Sequence, residues 1–88
     1  MKAPKVGTWI KSDGTMIPVL PEKGKKFSLK ECQKMVGGWV ERLQLPGAVL
    51  LANEEGIPLQ LPANHEASRL AGRDIYGDVV LLPKGMGW

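Results

Sequence analysis

Pro46-Gly47 stands at the centre of WVERLQLPGAVLLAN, between two apolar-rich runs, and it constrains the fold more than any other feature. Proline presets a negative φ and glycine takes a positive one at no steric cost, so the pair suits the central positions of a type II turn. The flanking runs are then strands of an antiparallel hairpin. In the tightest register Leu45 faces Ala48 and Leu43 faces Leu50. Hairpins prefer primed turns, which leaves room for a loop longer than two residues. The opposite face carries Val40, Arg42, Gln44, Val49, Leu51 and Asn53. Half of it is polar and half apolar, so it is neither clean core nor clean surface, and it points to a partner or a ligand.

Other punctuation divides the chain in the same way. Asp13-Gly14 is a two-residue turn signal, and it predicts a hairpin with Ile10 opposite Ile17. Pro18 lacks an N–H, which places its strand at an edge or at its end. Ser28 followed by Glu31 is a capping box, with Leu29, Cys32, Met35 and Val36 on one helical face. Gly37-Gly38 stops that helix. Asn53-Glu54-Glu55-Gly56 has turn chemistry, and IPLQLP reads as a short extended segment. Asn64 is a helix N-cap, Glu66 complements the helix dipole and Gly72 is the C-cap. Val79 to Leu82 forms a last strand, and residues 83–88 are expected to be a mobile tail. The expected order is ββ-α-ββ(β)-α-β, an α+β domain with a small, mainly antiparallel sheet and two helices.

The chain has 88 residues, which predicts a single domain over 1–88. A domain of this size buries only about 60–65% of the surface of its unfolded chain. A homo-oligomer is expected, because an interface extends a small core. Net charge is +3, which suits an anionic small molecule and disfavours long nucleic acid. One cysteine, Cys32, excludes an intrachain disulfide and fits a reducing cytoplasm. No apolar run follows the N-terminal lysines, and none is long enough for a bilayer. A cytoplasmic protein without membrane contact is expected.

NEEGIPLQLPANHEASRLAG concentrates carboxylates with the single histidine, yet it lacks the spacing of a catalytic or metal site. Glu54 and Glu55 are adjacent, so in an extended chain they point apart. Glu54, Glu55 and His65 are read as turn and helix surface, with no catalytic residue, metal or cofactor. No Gly-rich phosphate loop of the Walker type is present. Lys23, Lys25, Lys26, Lys30 and Lys34 read as a solvated face. Arg69 and Arg73 are spaced i, i+4 on the second helix and would form a two-arginine clamp for phosphate. Trp39 beside Arg42 is a candidate stacking group. The residues assigned to a ligand are Arg42, Arg69, Arg73, Trp39, Asn53 and Asn64.

VGGWVERL, NEEGIPLQLPANHEASRL and IYGDVVLL follow one another. This string, from about Lys11 to Leu82, resembles a family of short, functionally uncharacterised proteins carried by phages, prophages and other mobile elements. Its marks are V-G-G with an aromatic residue, N-E-E-G, L-P-x-N and G-D-V-V. The resemblance implies a phage-type origin and a bacterial cytoplasmic setting, and it carries no named reaction. By analogy of class, it suggests a counter-defence sponge that sequesters an anionic signal such as a cyclic oligonucleotide. The rival expectation is an interaction module that inhibits or modulates a host enzyme or complex through the mixed sheet face or the lysine-rich helix.

Overall fold

The structure is a computed structural model in which residues 6–24, 26–84 and 86 are described. Among the described residues, five strands and two helices follow in the order β1 (Gly7–Ile10), β2 (Met16–Val19), α1 (Leu29–Val36), β3 (Val40–Leu45), β4 (Ala48–Asn53), α2 (His65–Ala71) and β5 (Val79–Pro83). The strands form one sheet in the order β2-β1-β5-β4-β3, and every pairing is antiparallel. The expected α+β class and element order hold. β5 joins the two hairpins and is the central strand. Pro18 lies in β2, an edge strand, where a missing N–H costs no ladder bond.

Strand alternation sends apolar side chains to both faces of the sheet. On one face Leu51, Val80 and Leu82 pack with Cys32 and Val36 of α1, together with Phe27 and Met86. On the other face Ile10, Leu50, Ala52 and Val79 pack with Ala67 of α2 and with Ile75. Fully burying one such Leu or Ile contributes about 1.5–3 kcal/mol. A helix therefore lies on each face of the sheet.

The helix ends form as their residues dictate. Ser28 Oγ accepts from Glu31 N–H at 3.1 Å, and Glu31 Oε1 accepts from Ser28 N–H at 2.9 Å, a complete capping box. Gly37 closes α1 at φ +82, the left-handed conformation that glycine takes cheaply. Leu29, expected on the buried face, is 49% exposed because it stands in the first turn, before α1 reaches the sheet core.

Three local expectations are corrected. In the first hairpin Ile10 pairs with Met16 and Trp9 with Ile17, one residue out of the predicted register. Gly14 N–H donates to Lys11 O and Lys11 N–H to Thr15 O, with Gly14 at φ +96. That is a three-residue loop with a bulge, and the extra residue shifts the pairing. IPLQLP is a series of turns that replaces the optional strand, and Gln60 stands at φ +54. Just after it, Ala63 makes an isolated bridge to Tyr76. Within the expected mobile segment 83–88, Pro83 belongs to β5 and Met86 is buried in the core. Gly85, Gly87 and Trp88 lie outside the described residues.

Candidate functional site

The second hairpin takes the tight register, with Leu45 opposite Ala48 and Leu43 opposite Leu50. Gly47 has φ +73, as a type II turn requires. This register settles the mixed face. Val40, Val49 and Leu51 pack against the α1 cluster, so the apolar half of that face is covered by the chain's own helix. Of its polar residues Asn53 is buried, while Arg42 and Gln44 stay exposed beyond α1 towards the hairpin tip.

A groove of about 550 Å³ opens at that tip. Lys26, Arg42 and Lys84 line it, and its described lining residues include no aspartate or glutamate. Val49 and Pro83, both half-buried, supply aliphatic surface to the same lining. The frame is hydrogen-bonded. Gln44 Nε2 donates to the carbonyls of Leu45 and Ala48, both at 3.1 Å, across the turn. Gln44 Oε1 accepts from Arg42 Nη2 at 3.2 Å. Lys84 N–H donates to Gly47 O at 3.0 Å, fastening the end of β5 to the hairpin turn. Three cationic side chains beside aliphatic surface suit an anion with some apolar body.

The other expected ligand residues do not join Arg42. α2 ends at Ala71, and Gly72 turns left-handed at φ +70, so Arg73 lies past the helix and shares no face with Arg69. Arg69 pairs with Glu66, its Nε donating to Oε2 at 3.2 Å and its Nη2 to Oε1. That hydrogen bond lowers the Glu66 carboxyl pKa and raises that of Arg69. Arg73 Nη2 donates to both Glu41 oxygens, at 3.2 and 3.3 Å. Glu41 alternates with Arg42 along β3, so this pair lies on the α2 side of the sheet. The two-arginine clamp is thus replaced by two separate ion pairs.

Asn53 and Asn64 are buried and committed to the fold. Asn53 Nδ2 donates to Val36 O at 3.2 Å, and its Oδ1 accepts from Glu55 N–H at 2.7 Å. Asn64 Oδ1 accepts from Ala67 N–H at 3.0 Å, while Nδ2 donates to Ile10 O and Gly77 O. Trp39 is 61% exposed and stands at the end of β3 away from the groove. Lys26 and Lys84 were missed as groove residues. Lys26 read as one of a solvated lysine set, and Lys84 as tail. The pairing of Ala48 with Pro83 is what carries Lys84 to the hairpin tip.

Among the described residues, no three of His, Cys, Asp and Glu are grouped so as to hold a metal ion. Among the same residues, no helix is long and apolar enough to cross a membrane.

These features define a small α+β domain with a helix on each face of an antiparallel sheet and a cationic groove at one end. The chain belongs to the DUF3846 family, a domain of unknown function whose family model matches residues 10–87. No curated protein and no solved structure matches it.

Proposed function

We propose that the protein is a non-catalytic binder of an anionic, phosphate-bearing small molecule, held in the groove at the β3–β4 tip. The observation that carries this reading is a groove with Lys26, Arg42 and Lys84 in its lining and no carboxylate among its described lining residues. Arginine's planar fork suits bidentate phosphate contact, and lysines add point charge. Val49 and Pro83 offer aliphatic surface to the uncharged part of such a ligand. The volume is within the range of small-molecule sites, roughly 300–1,000 Å³.

The phage-type resemblance of the motif string extends the reading to counter-defence: sequestration of a cyclic nucleotide signal in the host cytoplasm, by a homo-oligomer whose interface helps enclose the ligand. The rival is a module acting on a host protein through the mixed sheet face or the lysine-rich helix; its sheet-face route has less support, since α1 covers the apolar half of that face.

A thermal-shift screen with pyrophosphate, mononucleotides and cyclic di- and trinucleotides tests the proposal, because a ligand of the native state raises stability by mass action. A stabilising phosphate compound whose effect disappears in Arg42→Ala supports it. No shift with any of them rejects it.

A further inference from the structure

The opposite end of the β3–β4 hairpin lies roughly 20 Å from the groove, the length of six strand residues. There the loop after β4 is braced by its own backbone. Gly56 N–H donates to Asn53 O, Leu59 N–H to Glu55 O, Gln60 N–H to Ile57 O and Leu61 N–H to Gly56 O, all between 2.9 and 3.2 Å. Asn53 Oδ1 adds the bond from Glu55 N–H. Gln60 at φ +54 holds a conformation that L-residues other than Asn and Asp seldom adopt. On this frame Ile57 is 71% and Leu59 53% exposed. Trp39 stands beside the loop, its carbonyl accepting from Glu54 N–H at 2.8 Å. A single exposed apolar residue is ordinary, but three large ones on and beside one braced loop are not.

The charge here is opposite to that of the groove. Glu54 and Glu55 are both exposed on the loop. A cavity of about 120 Å³ beside it is lined by Glu41, Glu54 and Asp74 against Arg73, which Glu41 already holds. In a chain of net charge +3, this end is locally acidic and apolar at once.

We propose that this end docks a polypeptide partner through a cationic amphipathic segment. The partner's apolar side chains lie on Trp39, Ile57 and Leu59, and a lysine or arginine reaches the carboxylates of the cavity. Charge complementarity favours this occupant. The carboxylates repel an anionic bilayer. A second copy offers its lysine-bearing α1, but that head-to-tail contact joins unlike surfaces and does not close into a dimer.

The test is fluorescence anisotropy with a labelled leucine–lysine peptide of helical spacing, beside a leucine–glutamate peptide of the same pattern and a scrambled leucine–lysine peptide. The patterned lysine peptide is expected to bind, and the other two to bind at least tenfold more weakly. Ile57→Ser and the double variant Glu54→Lys, Glu55→Lys are each expected to weaken it tenfold or more, and Lys23→Ala to leave it unchanged. All these side chains are exposed, and a thermal melt of each variant checks its fold. Equal binding of any two peptides, unchanged affinity in the loop variants, or no binding overturns the proposal. So does sedimentation showing self-association that Ile57→Ser alone abolishes, which would assign the surface to a second copy.

Discussion

Asn64 Nδ2 donates to the carbonyl of Ile10, 54 residues earlier, at 3.0 Å. The same nitrogen donates to Gly77 O at 2.9 Å, while Oδ1 caps α2. One amide thus ties the end of β1, the start of α2 and the approach to β5. Asn64→Ala removes the cap, at about 0.5–2 kcal/mol, and the two Nδ2 bonds to the carbonyls of Ile10 and Gly77, at about 0.5–1.5 kcal/mol each. A loss of roughly 2–4 kcal/mol is expected in urea unfolding. Asn64→Ser should recover only the capping part.

Gly56→Ala tests the close approach under the braced loop. A Cβ at Gly56 would stand 2.9 Å from the backbone oxygen of Tyr76. Backbone cannot swing away as a side-chain tip can, so the loop must shift. A cost of about 1–3 kcal/mol is expected, as for overpacking, with faster hydrogen exchange at Leu59 and Leu61.

Arg42 and Arg69 separate the groove from the earlier clamp expectation. Arg42→Ala is expected to weaken the best phosphate ligand about tenfold or more, since a charge-assisted hydrogen bond contributes about 1.5–3 kcal/mol. Arg69→Ala should change affinity less than twofold, because that side chain is exposed and paired with Glu66. Calorimetric titration reads both.

Glu31 predicts an acid limb. Hydrogen bonds from the backbone N–H groups of Ser28 and Glu22 hold its carboxyl below the ordinary glutamate value. A depressed folded pKa means that the unfolded state binds the proton first as pH falls. The contribution of Glu31 is therefore complete above the ordinary glutamate value and is lost as pH falls through the lowered folded one. Glu31→Gln should flatten the loss of stability across that window, measured by urea midpoints at stepped pH.

The parts of the fold legible in the sequence are those set by residues adjacent in the chain. Ser28 with Glu31, Gly37, Pro46-Gly47 and Asn64 each specify a cap or a turn through bonds within a few positions. Asp13-Gly14 signalled a hairpin correctly, but a bulge at Gly14 moves the register by one, and both loops fit the same dipeptide. The Arg69–Arg73 clamp failed for a related reason: Gly72 was read as the cap, yet the helical spacing was carried through it. The groove was hidden because Lys26, Arg42 and Lys84 lie far apart in sequence. Only the insertion of β5 beside β4 brings Lys84 to the hairpin tip, and no local pattern encodes that pairing.

The central place of β5 has a consequence for synthesis. Both hairpins leave the ribosome before the strand that joins them, so β1 and β4 each wait with an unpaired inner edge. Such edges are templates for pairing with other chains. The sheet closes only when β5 emerges, through contacts distant in sequence, and such topologies fold slowly. The period before β5 appears is the nascent chain's time of greatest exposure to aggregation, and a chaperone that shields strand edges would act then.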